Sequence, residues 1–294
     1  MDVVEGLKYA FASFREKKLY PYYFALAAIA LMFQLTAPLA GLLLIVPYML
    51  VIFYINGKLT HFKLVQEKLA SAPYTLDLFM HYTLTNIVQM LHVLFFWRDK
   101  KWLLIYALPL AGFAYLLSTI GTIMASVSGT TGAAMRETLA ATLATNISML
   151  VPPLALLAIG AVATMIAWIY HLYRIAFIGP IKLCDPSLDA GLCSQRSWEM
   201  THKKVLKIFL YNLVFGTCIV VLIVAISIIS AISAIIFAGS FQFVQSALAT
   251  LTYGPSAFFL VYLYKGIKDE PEPPSKGAQP SKAHSSAAKA KKRK

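Results

Sequence analysis

Apolar positions run along this chain in long blocks that acidic and basic residues do not enter. Residues 19–57, 102–135, 138–173 and 208–264 contain no Asp, Glu, Lys or Arg. A helix needs about 20 apolar residues to cross a hydrocarbon core of about 30 Å, so each block converts into spans. The first block, 39 residues from Leu19 to Gly57, is nearly twice that length and is interrupted by Thr36, Ala37 and Pro38. It predicts a tight hairpin of two short helices. The next two blocks predict one span each, about Trp102 to Met124 and about Leu150 to Tyr173, with a polar, small-residue connection from Ser126 to Asn146 between them. The last block predicts a second long hairpin broken near Ala238, Gly239 and Ser240. The expected fold is therefore all-α and membrane-integral, with six transmembrane helices in three hairpins.

Basic residues orient those spans, because Lys and Arg accumulate in short cytoplasmic loops. Four precede the first hairpin, six lie from Lys58 to Lys101, six from Arg174 to Lys207 and nine from Lys265 onward, leaving Arg136 alone on the opposite face. Both termini are expected in the cytoplasm. Trp97, Trp102, Trp168 and Trp198 fall at the cytoplasmic ends of spans, where an interfacial aromatic belt would put them. The first apolar run follows an 18-residue polar lead and doubles back at once, so it reads as an anchor and not as a cleaved signal.

The same order of features occurs three times. A lead with an apolar helical stripe (Val4, Leu7, Phe11, Phe14; then Ile87, Met90, Leu91, Leu94, Phe95; then Leu188, Leu192, Trp198) ends at a dilysine, Lys17-Lys18, Lys100-Lys101 or Lys203-Lys204. A span, a turn and a second span ending in aromatic and basic residues follow. The expected organisation is 1–70, 71–180 and 181–265, each an amphipathic interfacial helix plus a hairpin, and a disordered basic cytoplasmic tail at 266–294. Leads of this kind lie in the headgroup region, and six hinge lysines there meet anionic lipid headgroups at about 1 kcal/mol per basic residue. Pro47 and Pro255, placed 11 and 10 residues before Lys58 and Lys265, are expected to kink equivalent helices, and Pro109 is a third candidate kink.

Composition agrees with the pattern. Of 294 residues, 59% are apolar and 13% charged, the formal net charge is +13 and the mean hydropathy is +0.68. Three cysteines and fifteen glycines exclude a disulfide scaffold and a collagen.

Candidate chemistry is sparse. Intramembrane ionisable residues mark ion paths and catalysis, and none falls mid-span here. His171 and Arg174 lie at the end of the fourth span, where snorkelling explains them. Walker, zinc-protease, nucleophile-elbow and Cys-x-x-Cys motifs are missing from the sequence. Cys184 and Cys193 flank Asp185 and Asp189 at no common zinc spacing, and Asp185-Pro186 reads as a helix start. No catalytic, cofactor or metal residue is therefore assigned, and no cofactor is expected. Ser227, Ala231, Ala234 and Ala238 form a small-residue stripe for helix packing, with self-association as a homo-oligomer its alternative use. Gln34, Asn212, Thr119 and Thr122 either line a cavity or bond between helices. The acceptor pattern at Asn146-Ile-Ser148 abuts a span and reads as chance. The tail carries four prolines and ends Lys-Ala-Lys-Lys-Arg-Lys. It offers contact with anionic lipid or with ribosomal RNA, without sequence-specific nucleic-acid recognition, and Lys291-Lys292 occupies the place of a dilysine retrieval signal.

The segment from Ile181-Lys-Leu-Cys-Asp-Pro through Cys193-Ser-Gln-Arg-Ser-Trp-Glu-Met-Thr-His-Lys-Lys and its apolar continuation to Leu210 resembles one that recurs in bacterial polytopic families without an assigned activity. Among these are the membrane domain fused to some glycerophosphodiester phosphodiesterases and its stand-alone relatives. The matching features are Ser197-Trp198-Glu199, a basic pair and a long apolar run. The resemblance implies a helical protein of the bacterial inner membrane; the dilysine alternative would place it in a eukaryotic endoplasmic reticulum. The sequence contains no phosphodiesterase domain, so that activity does not carry over. Three functions remain in view: a non-enzymatic protein of membrane organisation or lipid handling, a transporter or channel for an unidentified solute, and an interfacial enzyme using Asp185, His202 or Glu199.

Overall fold

The computed structural model describes residues 1–96, 100–127, 133–237 and 240–270. Every regular element among them is a helix. Five segments are long and apolar enough to cross a membrane: Lys17–Thr36, Lys100–Ala125, Asn146–Cys184, Val205–Ile236 and Phe241–Lys268. In four of them under a quarter of the segment is buried inside the chain, so their apolar side chains face outward, as helices do when lipid is the solvent.

The short helix α1 (Val3–Phe11) is capped by Asp2, whose carboxylate accepts from the Val4 N–H. A 3-10 turn at Lys17–Leu19 leads into α2 (Tyr20–Gln66). Straight, α2 would be about 70 Å long and would hold Phe33 and Tyr48 about 22 Å apart. Their rings instead stack with centroids 4.5 Å apart. The path therefore reverses between them, within the expected turn region; the side chains of 37–44, Pro38 included, lie outside the described set.

Helix α3 (Leu76–Phe95) is capped by the Thr75 hydroxyl. After it come a 3-10 segment at Lys100–Tyr106, α4 (Ala107–Val127) and α5 (Ala133–Arg174). Helix α5 starts well before the expected Leu150, so the second half of the Ser126–Asn146 connection is helical, and Pro152-Pro153 lies deep inside the helix rather than in its first turn. The Asn146 acceptor pattern is helical too, with the Asn146 amide donating to the Thr142 carbonyl.

After a turn come α6 (Ile178–Cys184), α7 (Ala190–Met200), α8 (Val205–Ile236), α9 (Phe241–Ala249) and α10 (Tyr253–Lys268). Here the sequence reading of Asp185-Pro186 is corrected. Asp185 ends α6, and the cap of α7 is Asp189, which accepts from the Leu192 N–H at 2.7 Å. Asp185 instead closes a turn on Ser187 and faces Arg196 at 3.5 Å.

The prolines divide. Pro47 is interior to α2. Pro109 and Pro255 sit in the first turns of α4 and α10, each just after a 3-10 segment. A missing N–H costs nothing there, so these two start helices rather than kink them.

The tightly packed interior is a head at one end of the spans. There Ala10, Leu64, Leu78, Tyr82, Ile178, Ile181, Leu183, Cys193, Ile208, Phe259 and Leu263 bring together α1, the end of α2, α3, α6, α7, α8 and α10. A second cluster joins Leu19, Tyr23 and Leu26 of the first lead and span to Ile55 and Leu59 on the returning limb and to Ala257 and Phe258.

Candidate functional site

The three dilysines all occupy non-α hinges. Lys17 and Lys18 are exposed in their 3-10 turn, and Lys100 and Lys101 are exposed at the start of theirs. Lys203 is exposed in the turn between α7 and α8 with φ 62°, a left-handed backbone that costs a non-glycine residue about 1–2 kcal/mol. Lys204 differs from the other five: its ammonium donates to the Ile267 carbonyl at 3.2 Å and faces Glu270 at 3.4 Å. It is a tie between α8 and the end of α10, not an open headgroup contact.

The leads differ in how much apolar surface they leave uncovered. Helix α1 packs on α10, and Leu7 joins the head interior. Leu188 is buried ahead of α7. Helix α3 buries Leu78, Phe79 and Tyr82, while Leu76, Met80, Leu84, Ile87, Leu91 and Leu94 are exposed along its opposite face. Those six recur at spacings of three and four, a single stripe on an α-helix.

The end of α5 is not the snorkelling site that its position in the sequence suggests. His171 and Arg174 are buried, at 2% and 5% exposure. Rings of Phe96, Trp102, Tyr170 and Trp198 surround His171 with centroids 4.7 to 5.7 Å away. The Arg174 guanidinium lies 4.0 Å from the Trp198 ring centroid and donates to the Trp198 carbonyl at 2.9 Å and the Tyr170 hydroxyl at 3.3 Å. Its own carbonyl accepts from the hydroxyls of Ser197 and Thr201. Trp168 completes the belt, its indole N–H donating to the Tyr106 hydroxyl at 2.7 Å. Sequence position gives no sign that Trp102 and Trp198 pack around a buried histidine and Trp198 around a buried arginine; Trp97 lies outside the described residues.

Between α5 and α8 a groove of about 620 Å³ opens. Ile166, Ile169, Tyr170, Tyr173 and Arg174 form one wall, and His202, Lys203, Val205, Leu206 and Phe209 the other. Tyr173 and Phe209 meet edge to face at 5.9 Å. The two helices run in opposite directions from the turn that joins the head, so the three basic side chains lie together at one end of the groove.

The remaining candidates do not assemble into a reactive centre. Asp185 is held by Ser187 and Arg196, Glu199 accepts from the Gln195 amide at 2.9 Å, and His202 lines the groove. The Ser187 hydroxyl holds the Asp185 carboxyl below its usual range. Burial pushes the Cys193 thiol up to about 11, away from thiolate chemistry at neutral pH. No cluster of three or more His, Cys, Asp or Glu side chains able to hold a metal occurs among the described residues.

Two buried interactions escape the sequence reading. The Lys182 ammonium, 4% exposed as a residue, donates to the carbonyls of Pro186 at 2.7 Å and Leu188 at 2.6 Å. Ser194, fully buried, has its hydroxyl 3.3 Å from His92 Nδ1 and so links α7 to α3.

The polar groups within the spans bond locally or between helices. Gln34 donates to the Ser246 hydroxyl at 3.0 Å and joins α2 to α9, while Asn212, Thr119 and Thr122 each bond a carbonyl one turn back. On the expected small-residue stripe, Ser227 is 3.5 Å from the Gln245 amide of α9, Ala234 is half-buried and Ala231 is exposed; Ala238 lies outside the described residues. The closer helix approach is between α4 and α5, at Gly112 and Gly160. No protein-family model, curated protein or solved structure matches this chain.

Proposed function

We propose that this is a non-enzymatic polytopic membrane protein that organises or handles anionic lipid at the cytoplasmic face of a bacterial inner membrane. In this reading three units, 1–70, 71–180 and 181–265, each comprise an interfacial lead and a hairpin. They make six spans with both termini inside, and the basic residues from Lys276 onward, beyond the end of α10 at Lys268, add charge on the same side. The resemblance of the Ile181–Leu210 segment to bacterial inner-membrane families agrees with it.

The observation that carries the proposal is the exposed apolar stripe of α3, whose last member, Leu94, comes six residues before the exposed Lys100-Lys101 pair. Leaving six large apolar side chains in water along one helix face is unfavourable at roughly 25 cal/mol per Å². In the headgroup and acyl boundary the same stripe is solvated, and lysines at its end meet phosphate.

The test is copurification from a membrane containing phosphatidylglycerol and phosphatidylethanolamine. Wild type is expected to retain phosphatidylglycerol in excess of its share of the membrane. Replacing Lys17, Lys18, Lys100 and Lys101 together by Gln is expected to remove most of that excess. An unchanged lipid complement would overturn the proposal. Reporter fusions at both termini and in the α4–α5 connection test the orientation.

A further inference from the structure

We propose that the groove between α5 and α8 seats one anionic phospholipid from the surrounding leaflet, with its phosphate at the exposed Lys203 and His202 side chains on the rim and one acyl chain along Ile166, Ile169, Leu206 and Phe209. This deepens the lipid-handling reading and rests on it, since it names the molecule and the seat.

Charge and depth select the occupant. The groove walls are furnished largely by two of the segments able to cross a membrane, so in the lipid-handling reading its open side meets hydrocarbon. Ile169 and Ile166 precede Arg174 by five and eight residues, and Leu206 and Phe209 follow Lys203 by three and six. At 1.5 Å per residue the apolar walls extend inward from the cationic mouth by roughly one to two helical turns on each side. A ligand that fits has a negative head at the interface and a flexible apolar chain pointing into the bilayer, which describes a phosphodiester lipid. A soluble anion would leave Ile166, Ile169 and Phe209 unused, and a neutral lipid would leave the exposed Lys203 ammonium without a counter-charge.

The turn that presents the mouth is fixed by contacts that do not involve its exposed side chains. Thr201, fully buried, donates its hydroxyl to the Arg174 carbonyl at 2.9 Å, and the Lys204 N–H returns to the Thr201 carbonyl at 3.0 Å. Lys204 is tied to Ile267 and Glu270. With both flanks held, the exposed His202 and Lys203 side chains are displayed on the groove rim.

The experiment is native mass spectrometry of the full chain in micelles holding equal amounts of dioleoyl phosphatidylglycerol and dioleoyl phosphatidylcholine. Wild type is expected to keep one phosphatidylglycerol after its other lipids dissociate. Lys203→Gln is expected to reduce that retention about five-fold, the worth of one basic residue at the interface. Lys203→Gly removes the same charge while relieving the left-handed backbone, so it is expected to lose the lipid with thermal stability equal to wild type or higher. That separates a lipid contact from a structural role. Leu206→Trp, which fills the groove without altering charge, is expected to lose the lipid as well.

Retention of the tight lipid by all three variants would overturn the groove while leaving the general reading standing, provided the variant with Gln at Lys17, Lys18, Lys100 and Lys101 still loses bulk phosphatidylglycerol preference. Equal retention of phosphatidylcholine in the groove would overturn the anionic occupant. A wild-type chain with no phosphatidylglycerol preference at all would overturn the lipid-handling reading and the seat with it.

Discussion

Gly160 of α5 lies against the backbone of Pro109 of α4, so close that a Cβ at position 160 would stand 2.5 Å from the Pro109 nitrogen. Gly112 makes the reciprocal approach, where a Cβ would stand 2.7 Å from the Leu157 nitrogen. Both neighbours are backbone, which cannot rotate away. Gly160→Ala is expected to push α4 from α5 and lower stability by about 1–3 kcal/mol, the usual cost of overpacking. Gly121 lies in α4 with nothing within 4 Å of its Cβ position, and Gly121→Ala is expected to be neutral or stabilising by up to about 1 kcal/mol. Thermal unfolding of both variants in one detergent checks the pair, and equal effects would contradict the contact.

This contact illustrates what one-dimensional reading reaches. That the chain carries long helices apolar enough to cross a membrane is legible because a bilayer demands uniform apolar stretches. The dilysine hinges were legible because charge clusters at interfaces. The α4–α5 seam was not, since Gly112 and Gly160 are 48 residues apart and only the register of the hairpin brings each to its partner. The alanines after Ser227 have the right spacing but an exposed member in Ala231. Spacing selects a face without saying what covers it.

Arg174 shows the same limit in the site. Its place at the end of an apolar run predicted a snorkelling side chain, whereas it is buried against Trp198, 24 residues later, and holds the Trp198 carbonyl. A planar guanidinium can stack and fork together, and an ammonium cannot. Arg174→Lys is therefore expected to cost about 1–3 kcal/mol although it keeps the charge. Arg174→Gln should cost at least as much. Thermal unfolding, with tryptophan emission reporting the altered surroundings of Trp198, checks this; full rescue by Lys would show that charge alone matters.

Nothing in the sequence singles out Lys182, one lysine in the short apolar run Ile178–Cys184. Its ammonium serves two carbonyls in the turn between α6 and α7, where the backbone has no helical partners. Lys182→Met preserves the length of the buried side chain and leaves the carbonyls of Pro186 and Leu188 without that donor. The expected loss is about 1–3 kcal/mol, with faster amide exchange confined at first to 185–189. An unchanged exchange pattern would contradict the role assigned to the ammonium.

The head also carries a pH dependence whose sign follows from Glu67, the residue that ends α2. Burial alone would raise its carboxyl, but hydrogen bonds from Lys265 and Lys63, with the Tyr9 hydroxyl beside them, outweigh burial and hold it at about 2 against an ordinary value of 4.5. A folded-state value below the unfolded one means that the folded chain resists protonation. The stabilisation is complete above about pH 5 and is lost as pH falls toward about 2. Glu67→Gln removes the charge at every pH and leaves Lys63 and Lys265 unneutralised in a partly buried corner. Wild type is thus expected to exceed Glu67→Gln in stability by about 1–3 kcal/mol at pH 7, with the gap narrowing between pH 5 and pH 3. Lys265 links the last turn of α10 to the end of α2 through this carboxylate, so acid should loosen that turn before the helices lose helicity. Parallel melts of the two proteins across that range, followed by circular dichroism and by proteolysis near Lys265, check the order; a gap that stays constant with pH would contradict it.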